Sequence, residues 1–529
     1  MIKRFIDRLL GKKDAASGAG AGAAPAPVPI PLGRRVEIGA AEHGIDPKLL
    51  DDNALRVVRA LKEAGHEAYV VGGAVRDLLV GRRPKDFDVA TDATPEQVKA
   101  CFRRAFIIGR RFRLVHVVFG RGREHEVIEV STFRAYLDAS AAEQVDGNEK
   151  TARDELRDKE HVVDASGRVL RDNVWGPQVE DAARRDFTVN AMYYEPLSQT
   201  LVDYHGGFAD LRARLLRLIG DPETRYREDP VRIVRAVRFA AKLGFTLEPA
   251  TAEPVRRTAP LLANVPASRL FDEMFKLLQT GHAEASLDEL QAQGLGRGVF
   301  PVLDAVFAAD PPDPARERFV RLALADTDRR VAEGRSVVPS YLLACMLWHD
   351  VRSRWARQRT EGVPPLLALQ QAIDAVFDAR IGDISGRGKL AADMREIWLM
   401  QPRFERRTPA SAYALVAQPR FRAAYDFMGL RAETGEVDAA LAEWWEDFHL
   451  GSDEEREALL AELKTAPRRR AAPADATTGH ATEPGAGGVA EDATPAGPAR
   501  KRRRRRRRPG GAGGGPGETA APTTPTPAT

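Results

Sequence analysis

The periodicity of this chain changes character once, near residue 205, and that change limits the fold more than any other feature. Between His66 and Arg134 the apolar residues fall in short runs suited to strands: "HEAYVV", "KDFDVAT", "FRLVHVVFG" and "HEVIEVSTFR". The last two read as a hairpin. Helical segments separate the others. In "DPKLLDDNALRVVRALKEAG" residues Leu50, Ala54, Val57, Val58 and Leu61 share one face, Asp46 and Pro47 suit the start, and Gly65 suits the stop. Thr94 and Pro95 open a further helix in the same way. From about 205 to 464 the spacing is helical almost throughout. The expected fold class is α+β: a small α/β head over residues 41–200, then helices to residue 464.

The two ends cannot join that core. Residues 14–32 are rich in Ala, Gly and Pro, and the chain closes on "GGAGGGPGETAAPTTPTPAT". Segments 1–40 and 465–529 are therefore expected to be disordered. The opening "MIKRFIDRLLGKKDAASG" makes a poor signal peptide and reads as an amphipathic turn or two, either a frayed helix or a surface attachment. No run of about 18 apolar residues occurs, so no membrane span is expected. Cys101 and Cys345 stand far apart and offer neither a disulfide framework nor a CxxC site. The expected compartment is the cytoplasm. His349-Asp350 is a lone pair with no upstream histidine to complete a metal site. After Thr465 the chain carries 12 Lys and Arg against 5 Asp and Glu, a surplus of 7, so with a whole-chain charge of +4 residues 1–464 stand at −3. The basic character belongs to the tail, where Arg500 to Arg508 are all basic, including Arg502, Arg503 and Arg504.

Within the head, a strand runs into Gly72-Gly73, then a short helix, then a strand carrying Asp86-x-Asp88. Glycines between strand and helix let backbone approach a phosphate at a helix N-terminus. In a strand, i and i+2 side chains share a face about 6–7 Å apart. Like charges that close need a cation between them. The spacing leaves that cation open: Arg82, Arg83 or Lys85, or a magnesium ion shared with a triphosphate. Glu129 lies mid-strand between apolar neighbours and is a candidate third carboxylate. Arg76, one turn past the glycines, either meets phosphate or pairs with Asp77 or Asp86. Further on, in "EDPVRIVRAVRF", Asp229 and Arg232 read as an i, i+3 helical pair, continued by Arg235 and Arg238, with Ile233, Val237 and Ala240 on another face. A solvated helix with an internal ion pair is one reading of that row.

Four ordered blocks, "VVGGAVRDLLVGRRPKDFDVAT", "ARRDFTVNAMYY", "YREDPVRIVRAVRFAAKLGF" and "RLFDEMFKLL", resemble the class II nucleotidyltransferases. That family includes the bacterial poly(A) polymerases and the CCA-adding tRNA nucleotidyltransferases. The resemblance implies a polymerase-β-like head in which Asp86 and Asp88 hold two Mg2+ ions. It makes Asp186 a further essential acid, without ranking it against Glu129 as the third metal-facing one. It assigns residues 201–280 to a neck that reads the nucleobase and 281–464 to a helical RNA-binding body. Asp229 and Arg232 would read the base edge: an acid accepts from an exocyclic amine and an arginine donates to a ring nitrogen. This suits adenine and cytosine and rejects guanine and uracil.

"IIGRRFRLVHV" and "AEWWEDF" resemble the poly(A) polymerase branch. The expected activity is then template-independent addition of AMP from ATP to RNA 3′ ends, releasing pyrophosphate and promoting RNA turnover. CCA addition, or RNA binding by an inactive head, are the alternatives. Arg110, Arg111 and Arg113 are expected to face RNA. The arginine run of the tail is a candidate RNA tether, or else a solubilising segment. RNA-decay proteins are candidate partners.

Overall fold

The computed structural model describes residues 32–109, 113–120, 125–136, 143–145, 161–164, 169–307, 313–335, 337–381 and 388–465. The described residues fall in one compact unit. Its head is built on eleven strands: β1 Val36–Ile38, β2 Ala68–Val71, β3 Asp88–Thr91, β4 Ala105–Ile108, β5 Leu114–Phe119, β6 Glu126–Thr132, β7 Glu143–Val145, β8 His161–Asp164, β9 Val169–Asp172, β10 Tyr193–Glu195 and β11 Thr200–Asp203. Eight of them form one sheet in the order β1-β11-β10-β2-β3-β6-β5-β4. Every neighbouring pair in that sheet is antiparallel except β3 with β6. The expected β5–β6 hairpin is present. Strands β7, β8 and β9 form a separate sheet.

Local sequence explains most of these starts and stops. Asp51 caps the helix Asp52–Glu63 by accepting from the N–H groups of Asn53 and Ala54. Asp46 and Pro47, expected to open that helix, instead open a single 3-10 turn, Pro47–Leu49. The apolar face is as expected, with Ala54, Val57, Val58 and Leu61 buried. Thr94 and Gln97 form a capping box on the helix Pro95–Cys101. Order starts earlier than expected: β1 lies inside the segment assigned to disorder, where pairing with β11 satisfies its backbone.

Among the described residues downstream of 205, the regular elements are helices apart from a short parallel pair, Leu215–Leu216 with Thr246–Leu247. A single hydrophobic core runs from Ile38 through the neck to Leu430. A second cluster, including Phe404, Phe421, Trp445 and Phe448, closes the C-terminal helices. Shared core between the head and the first helices fixes the neck against the sheet, and this positions the site. Among the described residues no helix is long and apolar enough to cross a membrane.

Candidate active site

Strand β2 is buried along its whole length and ends at Gly72. Gly72 has φ 70° and ψ −132°, a backbone that an L side chain rarely adopts, and the helix Gly73–Leu79 starts directly after it. A Cβ on Gly72 would meet Arg185 Nη1 at 3.7 Å, so the turn lies against that guanidinium. Asp86 stands in a bend just before β3, Phe87 is buried, and Asp88 opens the strand. This alternation sends Phe87 into the core and leaves both acids exposed.

The sheet register then extends a row of side chains. Asp88 lies beside Glu129 across the parallel β3–β6 pair, and Glu129 lies beside His116 across β6–β5. His116 Nε2 is 3.4 Å from Glu129 Oε2. Although Asp88 keeps contact with solvent, desolvation by the protein packed around it pushes its carboxyl up to about 6; the charges of Glu129 and Asp86 add to this, and Arg185 opposes it. Among the described residues, no three acidic, histidine or cysteine side chains already stand as a ready-made metal cage. The donor set nonetheless fits a hard cation. Asp86 and Asp88 form no ion pair among the described residues, and the shift at Asp88 records charge that lacks a close partner.

Asp186 is held differently. Arg235 Nε and Nη2 donate to its Oδ2 at 2.9 and 2.5 Å, and the Phe187 N–H donates to its Oδ1 at 2.8 Å. Burial alone would raise this acid, but the Arg235 charge and these donors hold it at about 2. Asn190 connects it to Arg76, whose Nη1 donates to Asn190 Oδ1 at 2.7 Å. Arg76, Arg235 and Arg238 all lie over the Phe239 ring, at 5.6, 5.3 and 4.2 Å from its centroid. Glu273 accepts from Arg238 at 3.1 Å and from Lys276 at 3.0 Å. Arg225 is buried and donates to the carbonyls of Arg184 and Arg185 at 2.8 and 2.7 Å, which ties the "RRDF" segment to the neck.

Three family models match the chain: "Poly A polymerase head domain" over residues 68–217, "Probable RNA and SrmB- binding site of polymerase A" over 244–307, and "Polymerase A arginine-rich C-terminus" over 361–509. The poly(A) polymerase I of Haemophilus influenzae is 43% identical over 428 residues, covering 80% of this chain and 90% of that protein. The chain belongs to the bacterial poly(A) polymerase family. Its enzyme class is accordingly that of the nucleotidyltransferases, and its fold is the expected α+β head followed by helices. The poly(A) polymerase I of Salmonella typhi is 42% identical over 434 residues, 81% of this chain and 89% of its own length. The CCA-adding enzyme of Geobacillus stearothermophilus is 38% identical over 242 residues, only 46% of this chain.

Several expected roles need correction against this geometry. Arg76 takes the second of its two readings: it is buried, and its Nε and Nη2 donate to Asp77 at 2.9 and 2.7 Å. In this state it is not free for a phosphate. Arg235, expected at the nucleotide, grips Asp186 instead. Asp186 therefore serves that arginine, and Glu129 is the carboxylate placed beside Asp88. Asp229 and Arg232 are not two positions of one helix. The helix Pro222–Glu228 ends at Asp229, which has extended φ −145° and ψ 91°, and the neck helix Val231–Leu243 starts beyond Pro230. Arg269 holds Asp229 through two parallel bonds of 2.8 and 2.7 Å. Arg232 donates to Glu228 at 3.0 Å and to the Arg225 carbonyl at 2.9 Å. Nor is the arginine row a solvated face, because Arg238 is buried and Arg232 and Arg235 are largely so.

Arg113 pairs with Glu96, and its N–H donates to Asn173 Oδ1 at 2.9 Å. Arg110, Arg111, Arg502, Arg503 and Arg504 lie outside the described residues, as do residues 1–31 and 466–529 of the two terminal segments expected to be disordered. His349 and Asp350 face different partners, Glu436 for one and Arg316 with Arg380 for the other. Arg185 and Arg269 are the site residues that sequence reading missed. Both sit within blocks already singled out; Arg185 is held locally by Asp181 and Tyr193, whereas Arg269 meets Asp229 from 40 positions away.

Proposed function

We propose that this chain adds AMP from ATP to the 3′-hydroxyl of RNA without a template and releases pyrophosphate. The observation that carries the reading is the β3–β6 register, which places Glu129 beside an Asp88 already pushed up by burial and like charge. Asp86 and Asp88 would hold Mg2+, with Glu129 adjacent. Bound there, magnesium would supply Lewis acidity at the α-phosphate and at the attacking hydroxyl.

The chain's own residues bind and orient. The Gly72 turn brings backbone N–H groups to the triphosphate without a Cβ in the way. Arg185, kept protonated by Asp181 at 3.0 Å, provides fixed positive charge between that turn and Asp88. Asp229 and Arg232 flank the break between two neck helices, where side chains can reach a base edge. Asp229 accepts from an exocyclic amine, and Arg232 donates to the ring nitrogen. Arg269 aims the acid, and Glu228 aims the arginine. This pairing admits adenine and cytosine. The extent of similarity to poly(A) polymerases, against the half-length match to CCA-adding enzymes, supports ATP as the nucleotide used. Residues 201–280 would form the base-reading neck and 281–464 the RNA-holding body. Arg113 and the arginines outside the described residues would add phosphate contacts, and RNA-decay proteins in the cytoplasm would be the partners.

The test is incorporation of labelled ATP, CTP, GTP and UTP into an RNA with a free 3′-hydroxyl, and into a tRNA lacking its 3′ end. The expected result is long adenylate tails on the first RNA with magnesium present. Preferential CTP addition to the truncated tRNA would overturn it in favour of CCA addition, and no incorporation would leave an RNA-binding protein.

A further inference from the structure

We infer that the open face of β4, β5 and β6 is a stacking platform for the RNA nucleotides preceding the 3′ end, with Phe106 as its principal contact. This rests on the RNA-extending reading above.

The placement follows from register. The row that begins at Asp88 and Glu129 continues through His116 to Phe106, because His116 pairs with Phe106 across β5–β4. Strand β4 is the edge of the sheet. Three strand spacings of about 4.8 Å put Phe106 roughly 14 Å from Asp88 on the same face. Phe106 is 56% exposed and Val127 is 37% exposed, beside partly exposed Ile108 and Val118. Phe106, Ile108, Val118 and Val127 lie together around one cleft, and an exposed apolar patch rimmed by polar groups marks an interaction surface. These side chains line a shallow cleft of about 450 Å3, with Arg104, His116 and His125 also on its walls. One Arg104 nitrogen donates to the Gly120 carbonyl, which fixes the guanidinium at the rim.

Charge along this face is divided. The carboxylates sit at the Asp88 end, and the apolar and cationic groups sit at the Phe106 end. Glu126, the other acid of β6, faces away and accepts from Asn53 on the helix side. A single RNA strand fits that division. Its 3′-hydroxyl belongs at the carboxylates, its preceding bases on Phe106 and the aliphatic side chains, and its phosphates near the rim. Stacking on an aromatic ring tolerates any base, as extension of many different RNA ends requires.

The experiment uses the full chain and oligoadenylate carrying 2-aminopurine at successive positions from the 3′ end. High salt weakens phosphate contacts elsewhere on the chain. Wild type should quench the probe at a position a few nucleotides from the end. Phe106→Ala should lose that quenching and raise the KM for RNA about tenfold, within the range for loss of one base–aromatic stack. The KM for ATP and the rate at saturating RNA should stay unchanged. Phe106→Trp should restore both RNA readouts. Unchanged quenching and RNA KM in Phe106→Ala would overturn the platform, as would a loss that Trp does not restore. If wild type adds no nucleotide, the proposed activity fails, while the quenching arm still decides whether RNA lies on this face.

Discussion

The molecule treats its acidic side chains in two opposite ways on either side of the junction between head and neck. On the open sheet face Asp86, Asp88 and Glu129 stand close together, and desolvation together with like charge raises Asp88 to about 6. Where the neck meets the head, Asp186, Asp229 and Glu273 are each gripped by a neck arginine, and Asp186 is held at about 2. A carboxylate that folding leaves unpaired is available to an outside cation. One that folding has already paired can position other groups or accept from a neutral donor, but has little left to offer a cation. On the proposed function, the contrast separates the acids that would meet metal from those that hold the neck in place.

The largest effect tests the open side. Asp88→Ala or Asp86→Ala should lower nucleotide addition at least about 10³-fold, since metal charge stabilisation is worth several kcal/mol. Chelating magnesium should have the same effect on wild type. Stability should move the other way. An acid whose folded pKa is raised contributes stability fully below its ordinary 3.8 and loses it as pH rises through about 6. Asp88→Asn should therefore raise the melting temperature at neutral pH without metal, by the equivalent of about 1 kcal/mol once solvent screening is allowed for. Near-normal single-turnover addition by Asp88→Ala would remove the distinction between the two groups of acids.

The next effect tests the gripped side. Asp186→Ala leaves Arg235 largely buried with its main partner gone and should destabilise the protein by about 2–3 kcal/mol. Its folded pKa is lowered, so the stability it contributes is present above 3.8 and lost only as pH falls through about 2. The melting difference between wild type and Asp186→Ala should accordingly stay flat over roughly pH 5–9. A difference that titrates near neutrality would show that Asp186 is not held by Arg235 in solution.

What the sequence revealed follows the same line between local and distant. The glycine turn, Asp86-x-Asp88 and the Ile233, Val237 and Ala240 face depend on neighbours within a few positions, and all were legible. Strands β10 and β11 lie between Arg134 and residue 205, where no element was legible, because three or four residues carry too little periodicity. The break at Asp229 did have a signal. The residue before a proline is driven out of the helical region, and Pro230 follows it directly. Read that way, "EDPVR" marks a boundary between helices and not a continuous face. The arginine partners left no such mark: Arg235 meets Asp186 from 49 positions away, and Arg269 meets Asp229 from 40. Charges that local spacing would send to solvent were drawn inward by partners that only the folded chain brings together.

The smallest effects divide the base-reading pair from its support. On the proposed function, Arg232→Ala removes a donor to the base itself. A charged hydrogen bond contributes about 1.5–3 kcal/mol, so the ATP to UTP preference should fall about 10- to 100-fold. Arg269→Ala removes only the fork that aims Asp229, whose carboxylate still reaches the base but is no longer fixed. Its loss should lower the same preference about fivefold, in line with a contribution near 1 kcal/mol for a partly exposed ion pair. Arg269→Lys should fall between Ala and wild type, because lysine restores the charge without the two parallel bonds. Single-turnover addition with each nucleotide at saturating RNA measures all three variants. If Arg269→Ala matched Arg232→Ala, Arg269 would contact the nucleotide itself. If it matched wild type, the grip on Asp229 would stabilise the neck and leave base choice untouched.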